Sequence, residues 1–139
     1  MRTVIGIRPA KSGRRAIDDA NGPTPTVWFD SWRRLASLLS DENRALLRLM
    51  QAGKAWVKLT GPYRISNHDL PHADTIPYAH ALIKANPAQV IWGTDWPHVM
   101  HKGRIPNDGE LTNLLLDWVP DEKQREQVLV ANPAKLDGF

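Results

Sequence analysis

The sequence predicts an α/β fold built on a parallel sheet, and three stretches carry that prediction. In Ala55-Trp56-Val57-Lys58-Leu59-Thr60, Ala55, Val57 and Leu59 fall on one side and Trp56, Lys58 and Thr60 on the other, the period of a strand, and Gly61-Pro62 ends it. Ile76, Ala79, Leu82 and Ile83 recur at helical spacing, with Pro77 tolerable in the first turn and Asn86-Pro87 as the terminator. Val90-Ile91-Trp92 is a short apolar run that opens into Gly93-Thr94-Asp95-Trp96-Pro97-His98, with Pro97 stopping the strand. Strand, helix and strand in this order make a crossover unit whose two strands are parallel. The segments around Arg64 and Asp95 then leave the same carboxyl-end edge of the sheet, the edge at which α/β folds bind ligands.

The remaining elements follow in chain order. Residues 1–43 read as a divergent or poorly ordered amino-terminal segment, with Thr3 to Ile7 its one strand candidate. Lys11-Ser12-Gly13-Arg14-Arg15 and Asn21-Gly22-Pro23-Thr24-Pro25 have the composition of loops. Leu35, Leu38 and Leu39 share a helical face, and Ser40-Asp41 caps a second run carrying Leu46, Leu47 and Met50 that Gly53 closes. Residues 63–72 are long and polar for a simple connection, which marks a loop of functional type. Asp74 or Thr75 caps the helix at Ile76. Asp108 caps a helix with Leu111, Leu114, Leu115 and Trp118 on its apolar face, stopped before Pro120. Asp121 begins another, with Val128 and Leu129 inward and Asn132-Pro133 as its stop, and Leu136 and Phe139 dock a short tail. No internal repeat or low-complexity tract interrupts the chain.

Composition narrows the function classes. The 139 residues amount to one domain and contain no cysteine, which excludes a disulfide frame, a thiolate nucleophile and a zinc-thiolate site. The net charge of +3 comes from an excess of Arg and Lys before residue 45. The signs balance beyond it, so the basic stripe interleaved with aromatics of a nucleic-acid binder is not present. No apolar run reaches the roughly 18 residues of a membrane span, and the start lacks the pattern of a secretory signal. The expectation is a soluble, cytoplasmic protein whose partner is a small molecule, with no nucleic acid and no membrane.

Asp95 is the first candidate for chemistry. A carboxylate set just beyond an apolar strand, between Trp92 and Trp96, sits where a general base is wanted, although a turn-forming Asp fits the same spacing. Arg64 can grip a carboxylate through two parallel hydrogen bonds. His98 can orient Asp95, hold substrate or bind a metal. Asp95, His98 and His101 have a D-x-x-H-x-x-H spacing, but in a Pro-containing loop that spacing defines no common face. His72-Ala73-Asp74 imitates a metal-binding His-x-Asp, yet lies at a loop-to-helix junction, so Asp74 reads as a cap. His68 is a loop residue, His80 a helix-surface histidine, and Lys58 faces away from Val57 and Leu59. The tryptophans are core residues, with Trp96 as the candidate wall of a substrate pocket.

Over residues 44–139 the chain resembles the carboxyl-terminal part of an amidohydrolase-related (amidohydrolase 2) protein, and within that group it is similar to the 2-pyrone-4,6-dicarboxylate lactonases. The resemblance lies in Trp56-Val57-Lys58-Leu59-Thr60-Gly61-Pro62-Tyr63-Arg64-Ile65-Ser66, in Trp92-Gly93-Thr94-Asp95-Trp96-Pro97-His98, and in Asn132-Pro133-Ala134-Lys135-Leu136-Asp137-Gly138-Phe139. It implies the carboxyl-terminal portion of a (β/α)8 TIM-barrel-like, metal-dependent-hydrolase fold, incomplete in this chain. It also implies that the strand before Asp95 presents the catalytic aspartate. In lactonases that residue activates water without a metal, while in other amidohydrolases it also ligates a divalent ion such as zinc or manganese. Arg64 then matches an arginine that holds a substrate carboxylate. A whole barrel takes about 250 residues, and the family's His-x-His or His-x-Asp signature is missing. Gly6-Ile7-Arg8-Pro9 is the nearest match to a His-preceded Gly-Arg-Pro of the family, and Asp137 stands where an aromatic residue is usual. The chain is therefore expected to be a fragment of a barrel.

Two readings of function follow. The first is a hydrolase that opens a lactone or similar cyclic ester or amide of a carboxylated small molecule, with Asp95 as general base and Arg64, His98 and Trp96 around the substrate. The second is a non-catalytic partial barrel acting as an interaction module, prone to self-association through unpaired strand edges.

Overall fold

The computed structural model describes residues 45–66, 68–98, 103–104 and 106–138 in full, and residues 3–6 and 26–28 as backbone. The helix expected over Leu35 to Leu39, the Ser40-Asp41 cap expected for the second run, the loops between 7 and 25, His101 and Phe139 lie outside these residues.

Four strands, β1 (Thr3–Gly6), β2 (Thr26–Trp28), β3 (Ala55–Leu59) and β4 (Val90–Trp92), form one sheet in the order β2-β1-β3-β4. Every pairing is parallel. β3 and β4, the two strands within 44–139, are neighbours in the register Val57↔Val90, Lys58↔Ile91 and Leu59↔Trp92, as consecutive strands of a barrel are. β1 lies on the other side of β3, as the strand expected near Thr3. β2 was not legible in the sequence: it is three residues long, just beyond Pro23 and Pro25, and it sits outside β1 instead of between β1 and β3. That order departs from the strictly sequential order of a closed barrel.

Among the described residues the helices are α1 (Ala45–Gln51), α2 (Ile76–Ala85), α3 (Asp108–Trp118), α4 (Glu122–Glu126) and α5 (Asn132–Asp137), with a π turn over Gln127–Ala131 joining the last two. Among the described residues no helix is long and apolar enough to cross a membrane. The helices α1, α2 and α3 lay their apolar stripes on one face of the sheet. Leu46 and Met50 of α1, Ala79, Leu82 and Ile83 of α2, and Leu114, Leu115 and Trp118 of α3 close over Ala55, Val57, Leu59 and Val90. Burying each of the larger side chains is worth about 1.5–3 kcal/mol, so this layer is what holds the crossover to the sheet. Polar ties set the angles between elements. Trp118 Nε1 donates to Thr75 Oγ at 3.0 Å, and Asn86 Nδ2 donates to the Met50 carbonyl at 2.8 Å. Gly53 closes α1 in the left-handed region, at φ 70°.

Several local expectations change. Strand β4 ends at Trp92, five residues before Pro97, and one further ladder bond runs from Gly93 N to Leu59 O at 3.2 Å. The cap of α3 is Asn107, not Asp108: its side chain accepts from Gly109 N while Glu110 reaches back to the Asn107 amide. Asp74 is not the cap of α2, since Thr75 holds that position and the Asp74 carboxylate accepts from Ser66 Oγ at 2.6 Å. Asn132-Pro133 does not stop the last helix. The π turn absorbs the amide that Pro133 lacks and the chain stays helical to Asp137. That turn also shifts the register, so Val128 is fully buried while Leu129 faces out.

Candidate active site

Two turns at the carboxyl ends of β3 and β4 build the site. After β3, Gly61 takes a left-handed conformation (φ 55°) and starts the 3-10 turn Pro62–Arg64, which raises Tyr63 and Arg64 above the sheet edge. A Cβ on Gly61 would stand 3.2 Å from both Arg64 Cδ and Asp95 Oδ2, so glycine serves the turn and the close approach together. After β4, Asp95 (φ 71°) and His98 (φ 55°) are both left-handed, and the His98 amide closes the loop on the Asp95 carbonyl at 2.7 Å. Non-glycine residues rarely adopt this conformation and it costs about 1–3 kcal/mol each; such residues cluster at functional sites.

Asp95 and Arg64, predicted to share this edge, meet directly. Arg64 Nε donates to Asp95 Oδ2 at 2.8 Å and its Nη2 reaches the same oxygen at 2.7 Å, with the two side chains 10% and 23% exposed. Tyr63, which sequence reasoning missed, adds a third donor: its hydroxyl donates to Oδ2 at 2.7 Å. Oδ1 accepts no hydrogen bond among the described residues, so one carboxylate oxygen is clamped and the other left open. Burial first, then the hydrogen bond and charge of Asp95, push the Tyr63 hydroxyl well above the ordinary phenol value of 10.0, so it stays a donor.

His98 stands behind Tyr63. Its Nδ1 lies 2.9 Å from the Tyr63 oxygen and its Nε2 3.1 Å from Asp108 Oδ1. The rings of Tyr63 and His98 meet edge to face at 5.7 Å, and the Arg64 guanidinium lies 5.5 Å from the Tyr63 ring centre. Because the one proton of Tyr63 goes to Asp95, His98 Nδ1 donates to the phenol oxygen. As an imidazolium His98 supplies both of its contacts, and as a neutral ring one of them. Asp108, read from sequence as a helix cap, is thus the outer end of a line running Asp108, His98, Tyr63, Asp95. The signal that could have found Tyr63 is its place beside Arg64 within a tight turn.

The other candidates fall elsewhere. His72 is buried with Nδ1 on the His68 carbonyl at 2.7 Å, and His80 Nε2 ties α2 to the Asp117 carbonyl at 2.9 Å. Trp96 is 75% exposed and makes no side-chain contact with Asp95 or Arg64 that would bury it. No three His, Asp or Glu side chains gather as a metal-holding group among those residues. Asp95 Oδ2 already takes three hydrogen-bond donors and both His98 nitrogens are engaged, which leaves Asp95 Oδ1 as the open donor atom of this cluster.

Comparison with known proteins places this geometry. The amidohydrolase profile matches residues 37–139. The 4-sulfomuconolactone hydrolase of Hydrogenophaga intermedia is 50% identical over 97 residues, 68% of this chain and 32% of its own length. The D-galactarolactone isomerase of Agrobacterium fabrum is 38% identical over 97 residues, 68% of this chain and 33% of its own. A Comamonas testosteroni protein named as a 2-pyrone-4,6-dicarboxylate hydrolase is 32% identical over 80 residues, 58% of this chain and 26% of its own. The apo crystal structure of Agrobacterium tumefaciens ATU3138 superposes with a TM-score of 0.62 at 36% identity, covering 69% of this chain and 34% of that one. The chain spans about a third of the length of these relatives. A match over most of the sequence, on the segments that build the Asp95 and Arg64 turns, makes this chain a member of the amidohydrolase family.

Proposed function

We propose that this chain carries the general-base half of a lactone-hydrolysing site. The observation that supports it best is the asymmetry of Asp95: three donors hold Oδ2 and Oδ1 is open. A base must be both fixed in direction and free to accept, and this arrangement meets both needs. In the proposed reaction a water gives its proton to Asp95 Oδ1 and its oxygen attacks the lactone carbonyl. The ring C–O bond then breaks and the proton passes to the departing oxygen, leaving an open-chain hydroxy or oxo acid. Arg64 holds the base and places positive charge beside an incoming substrate carboxylate. His98 supports Tyr63 from behind, and the exposed Trp96 offers a flat apolar face to a planar ring. The names of the relatives favour lactones that carry acidic groups, and hydrolysis over isomerisation at the higher identity. Loss of the ring absorbance of 2-pyrone-4,6-dicarboxylate on incubation with the purified chain tests the reading; a ring that stays closed at the uncatalysed rate removes it.

A second reading is favoured by one observation, that among the described residues no strand pairs with the outer edge of β2 or of β4. Unpaired strand edges recruit further strands. In this reading the chain self-associates or completes a barrel with another chain, and the base half of the site becomes active on assembly. Sedimentation of the purified chain distinguishes a monomer from a concentration-dependent oligomer.

A further inference from the structure

The face of β3 turned away from the helices carries Trp56 and Lys58, Thr60 continues the alternation just past the strand, and none of the three has its polar group satisfied among the described residues. Trp56 and Thr60 are 1% and 6% exposed, yet Trp56 Nε1 and Thr60 Oγ have no hydrogen-bond partner. Leaving a buried polar group unpaired costs about 1–3 kcal/mol, so an orphan of this kind calls for a ligand or an ordered water. Lys58 is half-buried and its ammonium makes no ion pair or hydrogen bond among the described residues.

Position turns these orphans into a site. With Leu59 opposite Trp92, the register places Thr60 opposite Gly93, two residues before Asp95. A Cβ on Gly93 would lie 2.7 Å from Lys58 Cε and 3.1 Å from Nζ. The lysine tail therefore occupies the notch left by the missing side chain, and it carries the ammonium toward the edge where Thr60, Arg64 and Asp95 stand. A side chain at 93 would push it away. A cation beside Gly93 and an unpaired hydroxyl at the strand position opposite Gly93, two residues before the carboxylate base, are complementary to an anionic oxygen group.

We infer that Lys58 and Thr60 form a subsite for a second carboxylate of the substrate, with Lys58 supplying charge and Thr60 Oγ donating its proton. This rests on the lactone-hydrolase reading: Arg64 meets one acidic substituent of the ring and the Lys58-Thr60 pair meets another, so a diacid lies across Asp95 with its carbonyl over Oδ1. Specificity for a ring bearing two acidic groups over one bearing a single group would come from this pair, because a charge-assisted hydrogen bond is about twice as strong as a neutral one.

The test is titration calorimetry of the full chain with 2-pyrone-4,6-dicarboxylate and with the single acid 2-pyrone-6-carboxylate, in the wild type, Lys58→Met and Thr60→Val. Each substitution is expected to weaken diacid binding by about tenfold, the loss of one charge-assisted contact, and to leave the single acid within about twofold. Thr60→Val is nearly isosteric and removes an orphan hydroxyl, so its melting temperature is expected to match or exceed that of the wild type. Diacid affinity unchanged in both variants overturns the subsite, as does a wild type that fails to bind the diacid. A Thr60→Val variant that melts lower with binding intact also overturns it, by showing that the hydroxyl holds structural water. Turnover by an Asp95→Asn variant with these binding differences preserved would remove the general base and leave the subsite standing.

Discussion

Arg64 and Asp95 meet through one oxygen: Nε and Nη2 of the guanidinium both end on Oδ2, at 2.8 and 2.7 Å. The usual fork places two donors on two oxygens and closes a carboxylate off. Here the single-oxygen clamp, reinforced by Tyr63 at 2.7 Å, fixes the carboxylate and leaves Oδ1 without a hydrogen bond among the described residues. A strained backbone at Asp95 (φ 71°) is held in place by the same three bonds and by the His98 amide.

Asp95→Asn is expected to lower turnover by about 10²–10⁴-fold, the usual contribution of a general base. Binding of substrate and the fold should both survive. Asparagine tolerates the left-handed region well, and its carbonyl oxygen can take the bonds of Arg64 and Tyr63 while its amide occupies the open side and accepts no proton. Steady-state kinetics beside a thermal melt check this; turnover at the wild-type rate removes Asp95 from the role of base.

Arg64→Lys keeps the charge and loses the geometry. A single ammonium cannot deliver both bonds to Oδ2, and the Arg64 stem no longer packs over Gly61. The expected result is a loss of roughly 1–3 kcal/mol of stability, because a largely buried carboxylate oxygen is left under-bonded, together with reduced turnover. Chemical denaturation reads the first and initial rates the second; a lysine variant equal to the wild type in both would show that the clamp is incidental.

Tyr63 gives the site an alkaline limit. Its hydroxyl holds its proton above the ordinary phenol value of 10.0 in the folded chain. Below that pH both folded and unfolded states keep the proton, and the contribution to stability is present in full. As pH rises past it, the unfolded chain gives up the proton first, so stability falls until the folded value is reached. Urea midpoints measured on either side of pH 10.0 should decline in the wild type and decline less in Tyr63→Phe. Equal slopes would show that Tyr63 titrates as it does in the unfolded chain.

How much of this was legible differs by element for physical reasons. β3, α2 and β4 declared themselves because each presents a periodic apolar face, and the parallel crossover then put Arg64 and Asp95 on one edge without further information. Tyr63 did not, because a residue in a 3-10 turn has no period to say which way it points. Asp108 looked like a cap because caps are what aspartates before apolar runs most often are; its bond to His98 depends on how the loop folds back. β2 was hidden by its length, three residues after a Pro-rich stretch. Lys58 was placed on the correct face by alternation, but that its amine fills the notch at Gly93 required the register of two strands.

Asn132 shows the same limit and supplies the last prediction. Read as a helix stop, it is instead a fully buried strut: its Nδ2 donates to the Val90 carbonyl at 2.6 Å and the Pro87 carbonyl at 2.7 Å. It thereby ties the end of the π turn to the entry of β4, and β4 in turn sets the position of Gly93 and Asp95. Asn132→Ala leaves two backbone carbonyls without that donor and opens a small void beneath the strand, so a loss of about 1–3 kcal/mol is expected. The effect should reach the site although Asn132 touches none of its residues: hydrogen exchange at the amides of Ile91 to Thr94 should accelerate, and turnover should fall with the ordering of the strand. Exchange unchanged at those amides, despite a lower melting temperature, would confine the strut to global stability and separate it from the positioning of Asp95.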